Sequence, residues 1–229
     1  MDADPRDDLL LFYSRYYQPG LIDLSSSSPP PMPLELPLDG VVEPEALGYV
    51  PPAGPGDLRG MIAARYERLT DTHVLVTAGA SEALAAVALA LVAPGDSVVH
   101  DHGTYPSFIE AARTAGARLR PGNEARPGDR LAAVCHPTTP DGALYDIDEW
   151  CRRTARAASI PVVDEVYRDL AHEGARPPAA ADCCDSAISI GGLSKPLGMG
   201  GLRIGWIATR DGDIRARLDR QLQLLSGGP

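Results

Sequence analysis

Lys195 is the only lysine in a chain of 229 residues; the other strongly basic side chains are arginines. It sits in GGLSKPLGMGGLRIGW, with Arg203 following on the far side of a glycine-rich stretch. The two cations differ in chemistry. A guanidinium stays charged, whereas an amine that is desolvated near other cations can lose its proton and add to a carbonyl as an imine. An amine where arginine is otherwise the rule therefore points to imine chemistry.

Other residues could serve the same chemistry, each with a plainer alternative. Asp164 stands where the apolar run of IPVVDEVY stops. There it is either a loop or capping acid, or a partly desolvated carboxylate that needs a cationic partner. Tyr167, three residues on, either faces the same spot or packs. In AGASEA a strand leads into a helix, so the N–H groups of Ala80, Ser81 and Glu82 point outward at the positive end of the helix dipole. That is an anion site unless Ser81 caps its own backbone. Tyr105, in TYPSF, offers an aromatic face to a flat ligand or to the core. His136 opens the loop CHPTTPDG, in a catalytic or a structural role.

These residues must be held by elements that the pattern predicts. DLRGMIAARYERL reads as a helix with Leu58, Ile62, Tyr66 and Leu69 on one face. From His73 onward short apolar runs alternate with helical stretches: HVLVT, then GASEALAAVALALVAPGD, DSVVHD, YPSFIEAARTAG, ARLRP, RLAAVCHP, DIDEWCRRTARAA, IPVVDEVY and SAISIG. Such alternation predicts a three-layer α/β fold, a mostly parallel sheet with helices on both faces. Ligands of these sheets bind beyond the carboxyl ends of the strands, which is where the candidate residues fall. Residues 46–229 read as one domain, and residues 1–45, with their Ser- and Pro-rich IDLSSSSPPPMPLELP, as an extended N-terminal arm suited to an interface.

Composition removes other classes. A net charge of −10 and a pI near 4.9 argue against a nucleic-acid partner. The acidic start MDADPRDD lacks the features of a signal peptide. The longest apolar run is far shorter than the ~20 residues of a membrane span, and a cytoplasmic protein is expected. Cys135, Cys151, Cys183 and Cys184 show no zinc spacing and read as reduced thiols; no metal site is expected.

An anion-seeking helix terminus, an arginine beside an amine, a carboxylate able to hold a protonated ring nitrogen and a tyrosine near a phenolic oxygen together describe a pyridoxal phosphate pocket. With LSKPLGMGGLRIGW and DEVY in this order, the chain resembles the class I/II, fold-type I pyridoxal-phosphate aminotransferases over about two thirds of its length. The resemblance implies Lys195 as the Schiff-base residue, Asp164 against the pyridine nitrogen and Tyr167 at the phenolic oxygen. It implies Ala80, Ser81, Ser194 and Arg203 around the phosphate and Tyr105 stacked on the ring. Tyr49, in LGYVPPAGPGDLRG, would reach the phosphate of a second subunit, which implies a homodimer. Three departures stand out. His136 takes the place expected of an asparagine at the phenolic oxygen, and Gly192 that of a second phosphate-binding serine. A smaller C-terminal domain, with its arginine for the substrate α-carboxylate, has no counterpart in this sequence.

The implied activity is transfer of an amino group from an amino acid to a 2-oxo acid. YYQPGLIDLSSSSP weakly resembles capreomycidine synthase and its arginine-processing relatives, which keeps elimination, cyclisation or oxidation of an arginine-like amino acid open. A cofactor-binding subunit with little activity of its own is the third reading.

Overall fold

The computed structural model describes residues 27, 29, 30, 50–172 and 176–226. Tyr49 and most of the 1–45 arm lie outside the described residues. The chain order is α1 (Gly56–Ala63), β1 (Val74–Thr77), α2 (Ala80–Leu91), β2 (Ser97–His100), α3 (Pro106–Thr114), β3 (Arg118–Pro121), β4 (Asp129–Cys135), α4 (Ile147–Arg156), β5 (Ile160–Asp164), α5 (Ala180–Cys183), β6 (Ile188–Gly192), β7 (Gly205–Ala208) and α6 (Gly212–Leu225). The strands form one sheet in the order β1-β7-β6-β5-β4-β2-β3. Only β7 is reversed, pairing antiparallel with both β1 and β6, while the remaining ladders are parallel.

Strand alternation sorts the apolar side chains into two cores. Leu75, Val98, Leu131, Ala133, Val162, Ile188, Ile190 and Ile207 face α2, α3 and α6. On the opposite face Val74, Val76, Trp206 and Ala208 meet α1, and Val99, Ala132, Val134 and Val163 meet α4 and α5. A sheet covered on both sides explains why its central strands are continuous runs of valine, isoleucine and alanine instead of alternating patterns. Each fully buried valine, leucine or isoleucine contributes roughly 1.5–3 kcal/mol, and each alanine less. The outer strand β3 is different: Arg118, Arg120 and Pro121 leave a charged, half-exposed edge that discourages further pairing.

Helix limits follow local chemistry. Asp146 caps α4, accepting from Glu149 N at 3.0 Å, and Asp211 caps α6, accepting from Asp213 N and Ile214 N at 2.9 Å each. Pro106 opens α3 at a position where no backbone donor is needed. The first helix is shorter than its periodicity predicts. It ends at Ala63, and Tyr66 and Leu69 reach the same cluster from the irregular segment beyond it.

Candidate active site

Six strands deliver residues to one edge of the sheet. β1 ends at Thr77 and leads through Gly79 into α2, β2 leads to Tyr105, β4 ends at Cys135, and β5 ends on Asp164. β6 ends at Gly192, just before Ser194 and Lys195. Because β7 runs backwards, its first residue lies at this same edge, with Arg203 immediately ahead of it. The result is a cleft of about 250 Å³ whose walls include Ala80, Ser81, Tyr105, Asp164, Tyr167, Ser194, Lys195 and Arg203.

The anion end is built from backbone and one guanidinium. No side chain caps α2, and the carboxylate of Glu82 is drawn back to Ala78 N at 2.5 Å. The first-turn N–H groups of α2 have no acceptor within the helix and open toward the cleft. Arg203, in the left-handed region at φ 52°, turns its guanidinium over this turn, donating to Ala78 O at 3.3 Å and Gly200 O at 3.1 Å. Gly79, at φ +87°, makes room for it: a Cβ there would collide with the Arg203 guanidinium. A Cβ on Gly205 would run into the backbone of Gly79 and Ala80, so glycine lets β7 approach the helix start.

The opposite end holds the ionisable pair. Asp164 is 6% exposed and accepts from Val166 N at 3.2 Å. Burial pushes its carboxyl up to about 6; the Val166 hydrogen bond and the Lys195 charge oppose the rise, and Asp101 adds to it. Burial likewise lowers the Lys195 amine, against the pull of Asp164. Their attraction opposes both shifts and reverses neither. Each group thus sits in surroundings that favour its neutral form, and a cation placed against Asp164 would be strongly held. Lys195 Nζ lies 5.9 Å from the centre of the Tyr167 ring and donates to Ser27 Oγ at 2.7 Å. Tyr105, 39% exposed, immediately precedes α3 and lines the cleft.

His136 is not brought to this cleft. Its backbone N–H continues the β4–β5 ladder to Asp164 O at 2.9 Å. Its ring is buried on the far side, stacked on Tyr145, and Nε2 accepts from Tyr145 N at 3.1 Å. Burial lowers its pKa to about 4, so it is a neutral core acceptor, and the expectation of an imidazole at the phenolic oxygen is corrected. Thr139, three residues on, lines the cleft beside Tyr167 instead. Ser27 was also missed: one serine in a run of four carries no local signal, yet it enters the cleft between Lys195 and Tyr167. Cys135 lines the wall as a buried thiol whose pKa burial raises. Among the described residues no cluster suited to a metal ion occurs, and no helix is long and apolar enough to cross a membrane.

An amine, a buried carboxylate and an uncapped helix start at one edge of an α/β sheet are the parts that a pyridoxal-phosphate site requires. The comparisons agree. Residues 41–228 match the family model "Aminotransferase class I and II", and the chain belongs to that family. It is 35% identical over 178 residues to capreomycidine synthase of Streptomyces vinaceus, covering 68% of this chain and 45% of that protein. It is 33% identical over 187 residues to a probable N-succinyldiaminopimelate aminotransferase of Mycobacterium tuberculosis, covering 69% and 47%. Among solved structures, the PLP-dependent cyclase OrfR superimposes with a TM-score of 0.79 at 26% identity, over 99% of this chain and 71% of that one. The chain spans about half the length of the curated relatives it matches.

Pyridoxal 5'-phosphate is the cofactor of this family, and the residues present fit it. The glycine-lined cradle under Arg203 suits a phosphate, buried Asp164 forms no salt bridge among the described residues and could take the charge of a ring nitrogen, and Lys195 lines the same cleft.

Proposed function

We propose that this chain holds pyridoxal phosphate in the cleft at Lys195 and acts on an amino acid, passing its amino group to a 2-oxo acid. The observation that carries this reading is the sole lysine of the chain, half-buried with a depressed pKa beside Asp164 and facing the Arg203 cradle. When bound, the cofactor supplies a carbonyl for the amine and a protonated ring that accepts electrons. The chain does the rest. The N–H groups of Ala80 and Ser81, Ser194 and Arg203 would bind the phosphate, Tyr105 would stack on the ring, and Asp164 would keep the ring nitrogen protonated. Tyr167 and Thr139 hold the phenolic oxygen. With the cofactor bound, Lys195 Nζ would be the amine that meets its carbonyl and the general base placed to move a proton at the substrate's α-carbon.

Residues 46–229 form the cofactor-binding domain in this reading, the 1–45 arm belongs to an interface, and Tyr49 reaches the phosphate of a second subunit in a cytoplasmic homodimer. A second reading has specific support. The likeness to capreomycidine synthase and to a PLP-dependent cyclase fits elimination or cyclisation of an arginine-like amino acid as the alternative to transfer.

The test is direct. Pyridoxal phosphate added to the protein should be fixed by borohydride to the peptide containing Lys195 and not to Lys195→Ala. A cofactor fixed with equal occupancy in that variant would sink the assignment. Incubating the loaded protein with arginine and with other amino acids, with and without a 2-oxo acid, separates transfer from cyclisation by the products.

A further inference from the structure

Ser27 has no place in the roles above, yet it touches two of the groups that do. Its Oγ receives a hydrogen bond from Lys195 Nζ at 2.7 Å and another from Tyr167 Oη at 3.1 Å. A hydroxyl has two acceptor sites and one donor. Both contacts use the acceptor sites of the Ser27 hydroxyl. Ser27 also stands on the wall shared with a neighbouring, more apolar cleft of about 410 Å³ formed by Pro137, Pro140, Leu144 and Leu170. Thr139 and Tyr167 belong to the same shared wall.

We infer that Ser27, contributed by the N-terminal segment, is a positioning residue for Lys195: its Oγ is the acceptor that holds the amine and the Tyr167 hydroxyl together at the boundary of the two clefts. The inference rests on the reading of Lys195 as the cofactor lysine. Two consequences follow from the geometry. An acceptor on the N–H groups favours the charged amine and so offsets part of the desolvation that disfavours it. It also fixes the direction of the nitrogen lone pair, which must point at the incoming carbonyl before an imine can form. The other ionisable groups of the cleft wall are Asp164, Tyr167, Tyr105, Cys135 and Arg203; of these Tyr167 also loses its Ser27 partner in Ser27→Ala, and Ser27→Thr restores a hydroxyl to both contacts.

Because Lys195 is the only lysine, its titration can be followed without interference from another side-chain amine. The cofactor-free full chain, as wild type, Ser27→Ala and Ser27→Thr, is treated with trinitrobenzenesulfonate across a pH series, and modification of the Lys195 peptide is measured by mass. If Ser27 is the acceptor, Ser27→Ala moves the midpoint of reactivity to lower pH by about half a unit or more, and Ser27→Thr, which restores a hydroxyl, returns it. An upward shift in Ser27→Ala would mean that the segment merely shields the amine and that its loss solvates it. That result overturns the inference, as does a midpoint unchanged from wild type. Borohydride fixation of pyridoxal phosphate on the same wild-type sample separates the two levels of argument. Fixation at Lys195 with no shift in Ser27→Ala removes the role of Ser27 alone, whereas absence of fixation in the wild type removes the cofactor reading itself.

Discussion

Replacing Asp164 by asparagine should make the cofactor-free protein more stable at neutral pH and less responsive to pyridoxal phosphate. Burial first, and Asp101 in addition, push the carboxyl from 3.8 to about 6 despite the Val166 hydrogen bond and the Lys195 charge. A folded-state pKa above the unfolded value means that ionisation favours the unfolded chain. Below about pH 4 the group is neutral in both states; the penalty grows between about 4 and 6 and stays constant above. A gap of roughly two pKa units, at about 1.4 kcal/mol each, amounts to a burden on the order of 3 kcal/mol at pH 7.5. Asparagine removes the charge and keeps an acceptor for Val166 N–H, but buries an amide N–H₂ at a cost of about 1 kcal/mol or more, so the net gain is about 2 kcal/mol. Urea unfolding without cofactor at pH 7.5 and near pH 4 should show this gain at the higher pH and its loss at the lower. Saturating pyridoxal phosphate should then reverse the order, since ligand bound to the folded state stabilises it in proportion to affinity, and an amide cannot form the ion pair with the ring nitrogen. A variant no more stable than wild type at pH 7.5, or a gain independent of pH, would refute the reasoning.

Three further outcomes are expected. Gly79→Ala, with φ at +87° and its new Cβ against the Arg203 guanidinium, should weaken pyridoxal phosphate binding by about 10- to 100-fold through loss of a charge-assisted contact. Binding of unphosphorylated pyridoxal should change little, and equilibrium titration of both ligands checks the contrast. In the loaded protein, Thr139→Val should raise the pH midpoint of the cofactor's visible absorbance by removing a hydroxyl beside Tyr167, whereas His136→Gln should leave that midpoint alone and lower thermal stability. Mixing Tyr49→Phe with Lys195→Ala should restore activity through hybrid dimers if Tyr49 acts across subunits; no gain despite demonstrated subunit exchange would place it elsewhere.

The parallel strands were legible because both of their faces are buried. HVLVT, DSVVHD, RLAAVC, IPVVD and SAISIG carry runs that only a doubly covered strand needs, and each overlaps a strand of the sheet. The reversal of β7 was not legible, since GWIA reads alike in either direction and its orientation is set by the antiparallel ladders to β1 and β6. The ionisable residues were visible because charge at the end of an apolar run is conspicuous. His136 misled for the same reason: imidazole attracts attention, but one more residue of backbone pairing turns its ring to the far side and leaves the cleft to Thr139. Ser27 depends on a contact 168 residues away in sequence, which no local pattern encodes.

The placement of β7 also governs when the cleft can exist during synthesis. β1 emerges early, but among the described residues its one strand partner in the sheet is β7, so the β1 ladder at Val74–Thr77 waits for about 130 residues of further chain. At roughly 5–20 residues per second this interval is on the order of ten seconds. Lys195 and Arg203 emerge near its end, carried by the single connection between β6 and β7. The amine is therefore not held opposite an ordered phosphate cradle until the strand that locks the cradle has been laid down, and a nascent chain should gain its cofactor affinity in one late step.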